Sequence, residues 1–247
     1  MKKIEKDIVD VHCHIMYDVD DGSKNLDMSK GMIDIAYEEG IRGIILTPHY
    51  NKRFWTVSKD KYIETYRQIE AVVADMYPDM KIYMGCEIFY GEDTFDELEK
   101  GLIPTMAQGK YVLVEFMTTT SYKVIKKAIM GIQQRDYIPI IAHVERYDCL
   151  VEDIELVEEL VELGAYIQVN ASTIDGTHGK SGKKMAKNLL KRQLVHFVGT
   201  DAHRDDMRTP RIKDAYRYVQ KKFGEELADR IFVENPQYII NNTYIEE

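Results

Sequence analysis

The sequence predicts a parallel α/β fold, open or closed into a barrel, and three observations carry that prediction. Short apolar runs alternate with amphipathic helical segments along the chain. The runs are almost continuously apolar, as strands covered by helices are. An imidazole or a carboxylate leaves six of about seven runs at the C-terminal end, where the ligands and loops of parallel α/β proteins gather. With 247 residues the chain suits one domain, 1–247, because α/β barrels reach this size undivided.

The first run, Ile8-Val9-Asp10-Val11-His12-Cys13-His14, places Asp10, His12 and His14 two apart and so on one strand face. Two neutral imidazoles aimed at one point suit a divalent ion, with Asp10 able to ligate or to orient a ring from behind. Met28, Met32, Ile35 and Ala36 then repeat at helical spacing, and the run 43–46 leads to His49. Tyr62, Tyr66, Ile69, Val73 and Met76 predict the next helix, and the run 82–86 leads to Glu87. The run 111–114 leads to Glu115, followed by a stripe of Val124, Ile125, Ala128, Ile129 and Ile132. The run 138–142 leads to His143, and Val157, Leu160, Val161 and Gly164 mark a fourth helix. The run 165–169 ends in Asn170, which is not a usual ligand, and the run 195–199 leads to Asp201 and His203.

Composition narrows the function. A net charge of −9 and a pI near 5.4 argue against a nucleic-acid-binding surface and against an anionic membrane partner. No apolar run approaches the ~18–20 residues of a membrane span, and no apolar h-region follows the basic N-terminus. Three widely spaced cysteines make no disulfide framework, so a reducing cytoplasm is the expected location.

Imidazoles with hard carboxylates and no thiolate suit Mn²⁺, Fe²⁺, Zn²⁺ or Co²⁺. His12, His14, His49, Glu87, Glu115, His143, Asp201 and His203 exceed what one ion needs; Asp21, in the acidic turn 18–22, makes enough for two or three. Ions ~3.5–4 Å apart can hold a hydroxide nucleophile and clamp an in-line displacement at phosphorus. Arg146, after His143, and Arg208, after His203, favour phosphate over amide, since guanidinium forks match phosphate oxygens. Lys52 and Arg53 add charge at the same rim, whereas Arg204 and Arg211 read as solvated surface. A cysteine phosphatase needs arginine six positions after its nucleophile, but Val19, Glu92 and Glu155 stand there. Cys13 is expected to face the core, and His178 and His196 to lie away from the ligand face.

The order His12-x-His14, His49, His143 and Asp201-x-His203 resembles the four-part pattern of the polymerase-and-histidinol-phosphatase (PHP) superfamily. Within it the chain resembles the manganese-dependent protein-tyrosine phosphatases of Gram-positive bacteria. The marks are His12-Cys13-His14-Ile15 running to Asp20-Asp21-Gly22, Gly85-Cys86-Glu87-Ile88, His143-Val144-Glu145-Arg146-Tyr147 and Gly199-Thr200-Asp201-Ala202-His203. The resemblance implies a distorted (β/α)7 barrel and two or three divalent ions, Mn²⁺ first among them. It implies metal ligation by His12, His14, Asp21, His49, Glu87, Glu115, His143, Asp201 and His203, and phosphate binding by Arg146 and Arg208. The implied substrate is phosphotyrosine on a protein, a bacterial tyrosine kinase of capsule or exopolysaccharide control. The competing readings are a small-molecule phosphatase, such as a histidinol-phosphate phosphatase, and a non-catalytic metal-binding docking module. Tyr50, Phe54 and Trp55 are the expected aromatic rim.

Overall fold

All strand pairs among the described residues are parallel. The structure is a computed structural model that describes residues 6–51, 58–177 and 179–245. Lys52, Arg53, Phe54, Trp55 and His178 lie outside them. The strands are β1 (Ile8–Cys13), β2 (Ile41–Leu46), β3 (His49–Tyr50), β4 (Lys81–Met84), β5 (Glu87–Phe89), β6 (Tyr111–Glu115), β7 (Ile138–Ile141), β8 (Tyr166–Asn170) and β9 (Phe197–Gly199).

They form one sheet ordered β1-β2-β4 and another ordered β3-β5-β6-β7-β8-β9. β2 and β3 are one strand path interrupted at Thr47-Pro48, and β4 and β5 another interrupted at Gly85-Cys86. Proline supplies no ladder N–H at such a break. Leu46 pairs with Met84 before the interruption and His49 with Glu87 after it. The paths therefore break together, and two candidate ligands emerge side by side.

Counted as paths, the described strands number seven, and β9 returns to β1. Asp201 N donates to His12 O (2.7 Å) and His14 N to Ala202 O (2.8 Å), around a parallel bridge between Cys13 and Ala202. The circuit is the predicted seven-stranded (β/α) barrel, irregular where the two paths break. Gly199 permits this closure: a Cβ there would lie 2.5 Å from the Cβ of His12.

Helices cover the strands as the apolar stripes require. Asn25 caps Leu26–Glu38 by accepting from Met28 N, and that helix buries Met32, Ile33 and Ala36. Lys59–Met76 buries Tyr62, Ile69 and Val73, while Tyr122–Gln133 buries Ile125, Ala128, Ile129 and Ile132. A separate buried cluster takes Val9, Val11, Ile45, Leu113, Ile140 and Phe197 from five strands. β1 neighbours neither β6 nor β7, so these side chains meet across the barrel, as a packed lumen does.

Candidate active site

The predicted ligands converge at the C-terminal ends of the strands. β1 delivers His12 and, just past its end, His14, both with no solvent exposure, and β3 and β5 open with His49 and Glu87. Glu115 ends β6, His143 follows β7, and Asp201 and His203 follow β9. Asp21 is half exposed at the mouth, on a turn held against β1: Ser23 N donates to His14 O, and a Cβ on Gly22 would lie 2.4 Å from that oxygen.

Glu87 is the hub. Its Oε2 lies 3.1 Å from His12 Nε2, 3.3 Å from His14 Nε2 and 3.1 Å from His49 Nδ1, and its Oε1 is 2.8 Å from His143 Nε2. Among the described residues three groups of side chains could each hold an ion: His14, Asp21, His49 and His203; His12, His14 and Glu87; and His49, Glu87 and Glu115. His143 and Asp201 flank them, Asp201 Oδ1 at 3.6 Å from both His12 Nε2 and His14 Nε2.

The partners behind the rings settle where the protons sit. His14 Nδ1 faces the Asp20 carboxylate at 2.7 Å, and His203 Nδ1 faces the Asp201 carbonyl at 3.0 Å. His12 Nδ1 faces Gln168 Oε1 at 3.1 Å. These oxygens only accept, so each Nδ1 donates, and in the neutral ring each Nε2 turns a lone pair inward. His12 Nε2 and His14 Nε2 then oppose each other at 3.2 Å, and the buried Glu87 Oε2 has no hydrogen-bond partner. Inward lone pairs around an unsatisfied carboxylate oxygen fit divalent cations.

Charge follows the same geometry. Burial disfavours protonated His14, yet Asp20 and Glu87 raise it to about 9. His143 and His49 are raised against burial to about 9 and about 11 by Glu115 and Glu87. Burial opposes charge on Glu87 and Asp201 too. Even so, His12, His14 and His143 hold Glu87 well below the carboxylate range, and His12 and Arg146 do so for Asp201. The His203 ring beside it lowers Asp21, while burial and His14 lower His203. Cation charge can replace these protons. His143, Asp201 and Arg208 hold positive φ values of 29°, 53° and 50°, strain of about 1–3 kcal/mol each that collects at functional sites.

Both arginines reach the site through Asp201. Arg146 donates to Oδ2 at 2.6 Å and Arg208 to Oδ1 at 2.9 Å, their side chains 31% and 40% exposed. Beside the site a cavity of about 680 Å³ runs from His49 and Tyr50 along Tyr62, Tyr66 and Leu102. The Tyr50 hydroxyl donates to Glu97.

Asp10 departs from expectation. It touches no imidazole ring; it accepts from Thr200 N (2.9 Å), Thr200 Oγ1 (2.6 Å) and His12 N (3.2 Å), tying β1 to the Asp201 loop. β1 shifts register between Asp10 and Cys13, which breaks the period of two assumed for that face. Burial raises the Asp10 carboxyl to about 6. Cys13 is buried as expected, and burial raises its thiol. The residues that sequence reasoning missed are Asp20, Gln168, Asn170 and Tyr147, whose hydroxyl is 3.5 Å from His143 Nδ1. Gln168 carried one signal: it precedes Asn170 by two on β8 and so shares its face.

His196 lies apart, its Nδ1 accepting from Ile167 N at 3.1 Å and its ring against Tyr166. Burial and Arg230 lower it to about 4. An unfolded histidine titrates near 6.5, so the unfolded state binds the extra proton between those values, and stability falls as pH falls through that window. From pH 7 to 4.5, His196→Asn is expected to lose about 2 kcal/mol less stability than the natural protein. Parallel denaturation curves at the two pH values test this; equal losses would refute it.

Residues 8–241 match the family described as "Capsular polysaccharide synthesis, CpsB/CapC". The chain is similar to the tyrosine-protein phosphatase CpsB of Streptococcus pneumoniae, 37% identical over 243 residues that cover 96% of this chain and 100% of that one. It is 31% identical over 239 residues to the tyrosine-protein phosphatase YwqE of Bacillus subtilis (strain 168), covering 96% and 93%. A solved structure from work on B. subtilis YwqE and S. pneumoniae CpsB, described as unique metal-dependent tyrosine phosphatases, superposes with a TM-score of 0.90. The identity there is 30%, covering 97% of this chain and 96% of that one. The histidinol phosphate phosphatase of Lactococcus lactis superposes with a TM-score of 0.60 at 16% identity, covering 88% and 94%, a likeness of fold.

Proposed function

The chain belongs to the CpsB/CapC family of capsular polysaccharide synthesis, and from that membership and its site we propose that it is a metal-dependent protein-tyrosine phosphatase acting on a bacterial tyrosine kinase. The observation that carries the reading is the unsatisfied Glu87 oxygen ringed by imidazole nitrogens, with two guanidinium groups beside it on Asp201. The chain acts as one catalytic unit in the cytoplasm. No described helix is long and apolar enough to cross a membrane, and all three cysteines are free.

In this reading His12, His14, Asp21, His49, Glu87, Glu115, His143, Asp201 and His203 hold two or three divalent ions, Mn²⁺ by preference. Such ions supply Lewis acidity toward a phosphoryl oxygen and lower the pKa of nearby water. Asp20, Gln168 and the Asp201 carbonyl keep the rings turned inward. Arg146 and Arg208 extend from Asp201 to bind the non-bridging phosphoryl oxygens. A tyrosine leaving group has a pKa of ~10, so its departure asks less of a general acid than an alkoxide's would. The cavity along Tyr50, Tyr62 and Tyr66 takes the residues flanking phosphotyrosine.

The test compares a phosphotyrosine peptide, a phosphoserine peptide and histidinol phosphate on one Mn²⁺-loaded preparation, before and after EDTA. Phosphotyrosine is expected to turn over fastest, and chelation to abolish turnover until Mn²⁺ is restored. Fastest turnover of histidinol phosphate would establish a small-molecule phosphatase. Turnover of no ester would leave a docking module.

A further inference from the structure

Among the described strand paths β8 is the one whose end supplies no candidate ligand, yet its inward polar residues touch three of them. Gln168 and Asn170 lie two apart on β8, Gln168 with no solvent exposure and Asn170 with 2%. Gln168 Oε1 receives His143 N at 2.7 Å and faces His12 Nδ1 at 3.1 Å. Gln168 Nε2 donates to Asn170 Oδ1 at 2.9 Å, and Asn170 Nδ2 donates to Asp201 Oδ2 at 3.0 Å.

Direction in this chain is fixed at one end. A backbone N–H can only donate, so the His143 amide identifies the Gln168 atom facing it as the carbonyl oxygen. That oxygen cannot donate to His12, so His12 must carry its proton on Nδ1. The Gln168 amide nitrogen then points at Asn170, whose own nitrogen must turn to Asp201. The acceptor-only carboxylate suits that turn, and with Arg146 it fills Oδ2. Oδ1, which accepts from Arg208 at 2.9 Å, stays on the side facing His12 and His14.

We propose that Gln168 and Asn170 form a one-way amide relay that sets the proton position of His12 and selects the Asp201 oxygen offered to the metal centre. Both are positioning residues, and the inference rests on the metal-dependent reading above. The backbone amide of His143 is the reference from which the relay reads. Partners behind metal ligands in other proteins are worth about 10–100-fold in metal affinity or activity.

The relay makes an asymmetric prediction. Gln168→Leu removes the acceptor, so His12 should populate both neutral tautomers and Zn²⁺ affinity should fall about 10–100-fold. Gln168→Glu keeps an acceptor for His143 N and His12 Nδ1 but cannot donate onward. It should preserve the His12 proton while losing affinity through Asp201. Asn170→Leu, downstream of Gln168, should likewise leave His12 unchanged and weaken Zn²⁺ binding.

The readouts are the ¹⁵N resonances of His12 and Zn²⁺ affinity by chelator competition. The resonances are taken in Zn²⁺-loaded protein and in metal-free protein at a pH where the ring is neutral. Thermal unfolding of the metal-free variants reports simple loss of structure, which by itself would not sort the variants by tautomer. In the metal-free spectra, a single Nδ1–H tautomer in Gln168→Leu, or a His12 proton disturbed equally by Asn170→Leu, overturns the relay. If the natural protein binds neither Zn²⁺ nor Mn²⁺, the metal-dependent reading fails, and the metal-free spectra still decide the relay.

Discussion

Replacing Arg146 with alanine is expected to lower kcat/KM on a phosphotyrosine peptide by about 10²-fold while leaving bound metal in place. One charge-assisted contact to a phosphoryl group developing charge in a water-poor site is typically worth a few kcal/mol. Metal should stay because Asp201 Oδ2 keeps its second donor, Asn170 Nδ2 at 3.0 Å, and Oδ1 keeps Arg208 at 2.9 Å. Arg208→Ala should show the same pattern and order of loss, since Arg208 flanks the other oxygen of the same carboxylate. Arg146→Lys should recover only part of the loss, because an ammonium group cannot span two phosphoryl oxygens as a planar fork does. Metal analysis beside steady-state kinetics decides the matter. Unchanged kcat/KM in both alanine variants would remove the arginines from phosphate binding. Loss of metal along with activity would instead make them supports of Asp201.

The legible part of this protein is the part written in periodicity. Strand paths were visible because apolar runs covered by helices need few polar residues, and the candidate ligands were visible because His, Asp and Glu at strand ends are chemically conspicuous. Asp10 was misread because alternation assumes an unbroken strand, while β1 shifts register just beyond it. The helices Lys180–Lys191 and Lys213–Phe223 left a weaker signal: their buried Leu189, Leu190, Tyr216 and Val219 sit among many solvent-facing lysines. Gln168 and Asn170 were illegible for a different reason. A neutral amide carries no metal-ligand pattern, and Gln168 meets His12 across 156 residues of sequence. Only closure of the barrel brings such partners together. The coordinated breaks at Thr47-Pro48 and Gly85-Cys86 also belong to tertiary structure, since each strand is interrupted at the level where its neighbour is.

Glu87→Gln is expected to have the largest effect of any single substitution in the site. The amide matches the carboxylate in size, so the barrel need not repack, but it removes the one negative charge shared by His12, His14, His49 and His143. It also replaces one accepting oxygen with a donor that cannot coordinate a cation. Glu87 belongs to two of the three candidate ion groups, and as a carboxylate with two oxygens it can bridge two ions where an imidazole nitrogen serves one. Metal content should therefore fall by about one ion or more per chain, because the two groups containing Glu87 lose their common member. Loss of metal-supplied charge stabilisation is worth several kcal/mol, so kcat should fall by about three orders of magnitude. Asp21→Asn is the informative comparison. Asp21 is half exposed and belongs to a single group, in which His14, His49 and His203 remain, so metal and turnover should suffer less. Element analysis and kcat on equal amounts of folded protein separate the two variants. Natural metal content and turnover in Glu87→Gln would show that this carboxylate is a buried partner of the histidines rather than the bridge of a metal centre.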